Sequence, residues 1–223
     1  MLDKDDGYII GGQMNSIFLF VKIDAGKTRK IYKTYEVLTP GGMNDCRPTS
    51  DGGYMLVGGG CQGGCGVAIK VDGNGELEWG DNFTESALSS YAGSGFRSVD
   101  TTLEGYCAIV GEQMGGGRGF VLTVSLSKEI ISFKEYSDAY RIQSIKTTKN
   151  GEAFLAGATI TQGNGGTDIY VIKTNANGTI IDHTSYGTSS DEEAASLQLT
   201  NNGGSIVVGN DWIIKTDENG NVD

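Results

Sequence analysis

Residues 150–178 read NGEAFLAGATITQGNGGTDIYVIKTNANG, and this stretch decides the fold. It opens on a tight-turn pair, Asn150-Gly151, and runs through an apolar segment that closes on Gly157. It then crosses a glycine-rich loop, re-enters an apolar segment at Ile169-Tyr170-Val171-Ile172, and continues through Lys173 into a second turn, Asn175-Ala176-Asn177-Gly178. Both apolar segments have strand length and are punctuated by Gly and Asn at their ends. Within each run adjacent residues are apolar, and adjacent strand residues point to opposite faces. Such a strand needs both faces covered, as in a sheet sandwiched between two others.

The same sentence is written five times. Turns at Asp6-Gly7, Asp51-Gly52, Glu104-Gly105, Asn150-Gly151 and Asn202-Gly203 each lead to a closing glycine, at 12, 58, 111, 157 and 209. The mean spacing is about 49 residues, a period that marks a repeat architecture. Second apolar runs follow at 17–23, 67–71, 120–124, 169–172 and 212–214. We label the strands A (before the first turn), B (to the closing glycine), C (the second apolar run) and D (after the second turn). Each repeat is then a four-stranded antiparallel meander, and the turn pair Asn-Gly predicts a two-residue hairpin between C and D. The expectation is all-β: one five-bladed β-propeller over 1–223, with repeats of about 1–40, 41–90, 91–137, 138–188 and 189–223. A β-helix would need rungs of about half this period. The first repeat lacks an A strand and the fifth a D strand, so eighteen strands stand where five full blades need twenty. The terminal blades are therefore expected to be incomplete, or closed by strand sharing with further domains or a neighbouring chain.

Thr49-Ser50-Asp51-Gly52-Gly53-Tyr54-Met55-Leu56-Val57-Gly58 and the run from Asp168 to Gly178 resemble the propeller repeats of bacterial and archaeal surface or secreted proteins. The resemblance spans essentially the whole chain. It implies a propeller and an extracellular or cell-surface location, and it implies no particular activity. Repeat three departs from the pattern: Thr123-Val124-Ser125 replaces Lys-x-Asp and Ser127-Lys128 replaces Asn-Gly, which puts its C–D turn in doubt.

Composition narrows the partners. A net charge of -11 with no basic stripe disfavours nucleic acid and anionic membranes. It suits a glycan, a basic protein or a cation. No apolar stretch approaches the ~20 residues of a membrane-spanning helix, so no membrane insertion is expected. Met1-Leu2-Asp3-Lys4-Asp5-Asp6 has no signal-peptide pattern, which fits a mature fragment or a cytoplasmic chain. Cys61 and Cys65, in CQGGC, could close a small disulfide ring, whereas Cys46 and Cys107 read as small apolar residues. A single histidine argues against zinc, and no metal or cofactor is expected.

A repeat also filters function, because a catalytic residue is needed once. Tyr8, Tyr54 and Tyr106 recur and read as scaffold. Lys22, Lys70, Lys173 and Lys215 recur too, and read as strand-end partners of Asp24, Asp72, Asn175 and Asp217. The A–B and C–D turns are uniform, while the B–C and D–A loops vary, and variable loops on a rigid scaffold are where binding usually resides. Candidate ligand-binding residues on that loop face are Gln13, Asn15, Gln62, Gln113, Arg118, Gln162, Asn164, Asp211 and Trp212. The glutamines recur in four of the five B–C loops and suit sugar hydroxyls or tethering of their own loops. No catalytic residue is assigned. The expectation is a non-enzymatic module binding a glycan or protein ligand, or else a structural spacer of a longer surface protein. A glycosidase reading rests on Met43-Asn44-Asp45 with a second acid at Asp100, Asp138 or Asp191-Glu192-Glu193. The simpler view of 191–193 is a solvated loop.

Overall fold

The structure, a computed structural model, describes residues 7–15, 17–36, 41–60, 65–83, 95–113, 117–218 and 220–222. Among them are eighteen strands in five antiparallel sheets. The first sheet holds β1 (Tyr8–Met14), β2 (Ile17–Ile23) and β3 (Arg29–Tyr35). The second holds β4 (Gly41–Pro48), β5 (Tyr54–Gly60), β6 (Cys65–Val71) and β7 (Leu77–Asn82). The third has β8 (Gly95–Thr101), β9 (Cys107–Glu112), β10 (Gly119–Val124) and β11 (Ile130–Tyr136), and the fourth β12 (Arg141–Thr147), β13 (Ala153–Thr159), β14 (Asp168–Thr174) and β15 (Ile180–Tyr186). The fifth is β16 (Ser196–Leu199), β17 (Ser205–Gly209) and β18 (Trp212–Thr216). Each sheet is a meander in chain order. The A strands β4, β8, β12 and β16 touch in succession, so the sheets radiate from a shared centre in a propeller-like arrangement.

Apolar layers fill the gaps between successive sheets. Phe18 and Phe20 of the first pack on Tyr54, Leu56 and Ile69 of the second, and Met55 and Val57 of the second pack on Phe96, Val99 and Phe120 of the third. Val110 then meets Ile142 and Leu155, and Phe154 and Val171 meet Leu197 and Val207. Strand β6 is buried at every position, as a two-sided strand must be. Strand β17 instead alternates buried and exposed, which means one covered face. Ile206, Val208 and Ile213 line its open face, and Ile213 is 80% exposed. Tyr8, Ile10, Met14 and Tyr32 are exposed on the first sheet.

Closing glycines have a steric cause. In β4, β8 and β12 an extra residue bulges opposite the closing glycine's neighbourhood. A Cβ on Gly58, Gly111 or Gly157 would overlap the carbonyl oxygen of Gly42, Gly95 or Arg141 in the adjoining A strand. Gly12 would meet nothing, because among the described residues no A strand pairs with β1.

The C–D turns differ from the two-residue hairpin predicted. Only the glycine has positive φ (Gly75 at 77°, Gly178 at 70°), and the register shifts by one residue at Lys70/Val71 and Lys173/Thr174. This is a type I turn ended by a left-handed residue and a bulge. The turn doubted in repeat three forms the same way: Lys128 takes the left-handed position at φ 74°, and Ser125 Oγ accepts from Glu129 N at 2.9 Å. Asp72 Oδ1 does the equivalent for Glu76 N at 2.8 Å.

Those turns are also where neighbouring sheets interlock. Tyr35 Oη donates to Gly75 O at 2.8 Å, Tyr136 Oη to Gly178 O at 3.0 Å, and Tyr186 Oη to Gly220 O at 2.9 Å. Each joins the end of a D strand to the C–D turn of the next repeat. Repeat two has Phe83 at that place, without a hydroxyl. Trp79, four residues earlier, supplies the donor instead, from Nε1 to Leu126 O at 2.7 Å. Three of the recurrent lysines, Lys22, Lys70 and Lys173, reach groups other than the residues two positions on. Lys70 Nζ reaches Asp51 and Glu78, both at 2.8 Å, Lys173 reaches Glu152 at 3.2 Å, and Lys22 reaches the Tyr54 hydroxyl at 2.9 Å.

Candidate functional site

At the loop end of the A strands, a bulge re-aims one side chain per sheet. The bulged residues are Asn44, Arg97 and Gln143. Asn44 Nδ2 donates to Phe96 O at 2.6 Å, bridging two sheets. Arg97 ion-pairs with Glu112 at the end of β9. Glu112 lies 3.9 Å from Arg141 Nε, and Arg141 Nη1 reaches Glu193 Oε2 at 3.3 Å. The Arg141 guanidinium also covers the Tyr140 ring, 4.7 Å from its centroid. The result is an alternating chain, Arg97–Glu112–Arg141–Glu193, across the loop end of the A strands. Arg97 Nε, Arg141 Nε and Glu112 Oε2 are buried without a hydrogen-bond partner.

Further along the A strands lies a second polar layer. Arg47, Asp100, Lys146 and Gln198 occupy the same register position in four successive sheets. Asp45 Oδ1 accepts from Arg47 Nη1 at 2.6 Å and Cys46 N at 2.9 Å; its Oδ2 accepts from Ser98 Oγ at 2.7 Å and Val99 N at 3.2 Å. Asp100 accepts from Thr147 N at 2.8 Å and from its hydroxyl at 3.1 Å. Burial pulls the Lys146 ammonium below its usual pKa, aided by the nearby Arg47 charge and partly offset by Asp100 and Asp45. Oδ1 of Asp45 is thus held within its own strand and Oδ2 joins β4 to β8, so both oxygens are engaged by the scaffold. Ser144 Oγ makes the equivalent joint, accepting from Leu197 N at 3.2 Å.

Those of the expected loop-face residues that the structure describes do several different jobs. Gln13 lays its amide against Gly42 of the neighbouring sheet. Asn15 is an exposed turn residue with φ 52°. Gln113 closes its own loop through the main chain, with its N–H on Arg118 O at 2.9 Å, and the Arg118 side chain lies 3.8 Å from Glu135. Gln162 N donates to Thr159 Oγ1 at 3.2 Å, and Asn164 spans from Asp168 to the Gly187 carbonyl. Asp211 is exposed, while Trp212 packs partly buried against the layer of Phe154 and Leu197. Gln62 and Cys61 lie outside the described residues. Cys65 is disulfide-bonded. Cys46 and Cys107 are buried free thiols, pushed up by burial to about 11 and about 12.

The segment 191–193 is not a solvated loop. Asp191 Oδ1 accepts from Thr167 N at 2.8 Å, Glu192 is 7% exposed, and Glu193 pairs with Arg141. Opposite Glu192 sits Asp168, at 1% exposure the most buried carboxylate among the described residues. Composition gave no hint of this. The signal was positional: Asp168 takes the register place that Cys65 holds in the second sheet, and it departs from the repeat there.

No protein-family model and no curated protein matches the chain. Solved structures do. A protein of unknown function from Bacteroides caccae superposes with a TM-score of 0.59 at 15% identity, covering 92% of this chain and 76% of that one. The WD40 domain of Neurospora crassa Pan2 gives 0.58 at 14% identity, over 90% of this chain and 58% of that domain. The fold is propeller-like. An α-L-arabinofuranosidase from Clostridium thermocellum gives 0.51 at 10% identity, covering 97% of this chain and 92% of that one. At such identities the likeness concerns architecture alone. This chain spans little more than half of the Pan2 domain.

Proposed function

We propose that this chain is a five-bladed propeller module whose B–C/D–A loop face binds an external, hydroxyl-rich ligand, a glycan before a protein, without catalysis. One observation carries the reading. Arg97, Glu112 and Arg141 occur once each, form one ion-paired chain at the loop end of the A strands, and hold three buried polar atoms that make no hydrogen bond. The opposite end consists of repeated turn chemistry. A chain of alternating charges with a stacked tyrosine supplies donors, acceptors and an apolar ring together, which is what sugar recognition uses. Location outside the cell or at its surface belongs to the same reading. A glycan array followed by calorimetry tests it: Arg141→Met and Arg97→Met are expected to weaken binding at least tenfold. Binding unaffected by either substitution, or hydrolysis of a bound glycan, would refute it.

A second reading is favoured by the open faces of the first and fifth sheets. Every other sheet face is covered by the next repeat, so the partner these faces fit is another sheet of the same kind, as in an assembly unit. Ile213→Lys changes a side chain that touches little in the monomer. It should therefore abolish any concentration-dependent association seen by sedimentation without lowering stability. A monomer at all concentrations would end this reading.

A further inference from the structure

Asp168 opens strand β14, and its carboxylate is enclosed by glycines. A Cβ on Gly163, which has φ +112°, would overlap the carboxylate from one side, and a Cβ on Gly187 would overlap Asp168 Oδ1 from the other. The same Cβ on Gly187 would collide with Glu192 Oε2. Both oxygens therefore crowd one methyl-sized volume beside Gly187. Asp168 Oδ2 accepts from Asn164 N at 3.2 Å, but Oδ1 is buried and has no hydrogen-bond partner. Glu192 is held toward it by Thr188, whose N–H reaches Oε2 at 2.9 Å and whose hydroxyl reaches Oε1 at 2.6 Å. Among the described residues no lysine or arginine pairs with either acid. Two carboxylates brought together out of water, one with a vacant oxygen, repel each other unless a cation or a proton lies between them.

We propose that Asp168 Oδ1 and Glu192 Oε2 are two ligands of one Ca²⁺ that clamps the B–C loop of the fourth sheet to the loop leading into β16. Both oxygens lie against the same side of Gly187, close enough to each other for one hard cation, which prefers oxygen donors at about 2.3–2.6 Å, to bridge them. The remaining ligands would be main-chain carbonyls of this glycine-rich segment, and water. Magnesium demands a tighter, near-octahedral shell and fits an irregular loop less well. The net charge of -11 draws divalent cations to the surface in general. A specific site must therefore be separated from that background. This inference stands whether or not the loop face binds a glycan.

The test uses the whole chain, stripped with chelator and titrated with CaCl₂ by calorimetry and thermal denaturation. The expected result is one Ca²⁺ per chain and, at about 100 times the dissociation constant, a rise in Tm of about 5–10 °C, weaker with Mg²⁺. Asp168→Asn should lose the rise and, without metal, equal or exceed the stripped wild type. Glu104→Gln, which removes an exposed charge elsewhere, should keep the rise. Should Asp168→Asn fail to fold, Glu192→Gln and Tb³⁺ luminescence on the wild type give the same reading. The proposal is overturned by the absence of a Ca²⁺-dependent shift, by an equal shift in Asp168→Asn, or by stabilisation on acidification with no response to metal, which would identify a shared proton.

Discussion

Replacing Lys70 with methionine isolates one scaffold interaction. Lys70 is fully buried, and its ammonium meets Asp51 and Glu78 at 2.8 Å each and the Val71 carbonyl at 3.1 Å. Methionine keeps the length of the stem but leaves two carboxylates facing one another. Breaking a fully buried pair costs about 3–5 kcal/mol. Here both acids are more than two-fifths exposed and can rehydrate, so we expect about 2 kcal/mol, or about 4–8 °C in Tm. The pH dependence gives a sharper check. Burial opposes ionisation of Asp51, but hydrogen bonds from Lys70, Thr49 and Gly53 hold its pKa at about 2 against an ordinary 3.8. A depressed carboxyl stabilises the fold above its unfolded pKa and loses that contribution as pH falls through the folded one. Screening at this exposure leaves about 1 kcal/mol for that share. Burial opposes the Lys70 charge too, but Asp51 and Glu78 outweigh it and leave its pKa above 10.5, so its contribution is complete below pH 10.5. Urea unfolding of both proteins should show a constant deficit from pH 7 to pH 4 that shrinks by about half toward pH 2. A deficit below about 0.5 kcal/mol at pH 7, or one that grows on acidification, would refute the reasoning.

Gly58→Ala drives a methyl into the Gly42 carbonyl and should cost about 3 kcal/mol or prevent folding, whereas Gly12→Ala should be neutral within about 0.5 kcal/mol; urea titration of the pair decides. Tyr136→Phe removes one inter-sheet hydrogen bond and should cost about 1 kcal/mol by the same measurement. Trp79→Phe should cost about 2–3 kcal/mol, because a partly buried ring loses volume as well as its bond to Leu126 O. Cys46 and Cys107, raised to about 11 and about 12, should resist iodoacetamide at pH 8 in the native protein and react only on unfolding, as read by mass spectrometry.

Much of the architecture was legible because the repeat states it five times. The closing glycines, the apolar doublets and the turn residues each answer to one local steric or hydrogen-bonding demand, and such demands show in sequence. The turn type was misread because Asn-Gly fits both a two-residue hairpin and the last half of a type I turn with a bulge; only the register at Lys70/Val71 separates them. The lysine partners were misread for a related reason. Residues two apart on a strand share a face, but Lys70 extends along the sheet to the A–B turn, where Asp51 lies nearer than Asp72. At the loop face, the choice of glutamines followed recurrence, whereas the buried side-chain atoms without a hydrogen bond among the described residues belong to Asn82, Arg97, Glu112, Arg141 and Asp168.

That contrast turns the repeat filter into a rule with two outcomes. Where one repeat departs from the others and a second departure nearby restores the lost interaction, the change is structural: Phe83 lacks a hydroxyl, and Trp79 supplies the donor to a turn that itself lacks Asn-Gly. Where a departure leaves a buried polar atom with no restoring partner, the protein carries an energetic cost that its own side chains do not offset. Asp168 is of this second kind, whereas the Arg97–Glu112–Arg141 chain is ion-paired but leaves three buried atoms without a hydrogen bond. Buried carboxylates and guanidinium nitrogens without partners cost more than a lost surface hydrogen bond. Both sets lie at the loop end, and Glu192 and Glu193 are adjacent in the chain, so a cation held by Glu192 would also fix the backbone that presents Glu193 to Arg141. If both readings hold, chelation should weaken ligand binding at the loop end of the A strands without abolishing it, and Asp168→Asn should remove that sensitivity to chelator while leaving the Arg141 contribution intact.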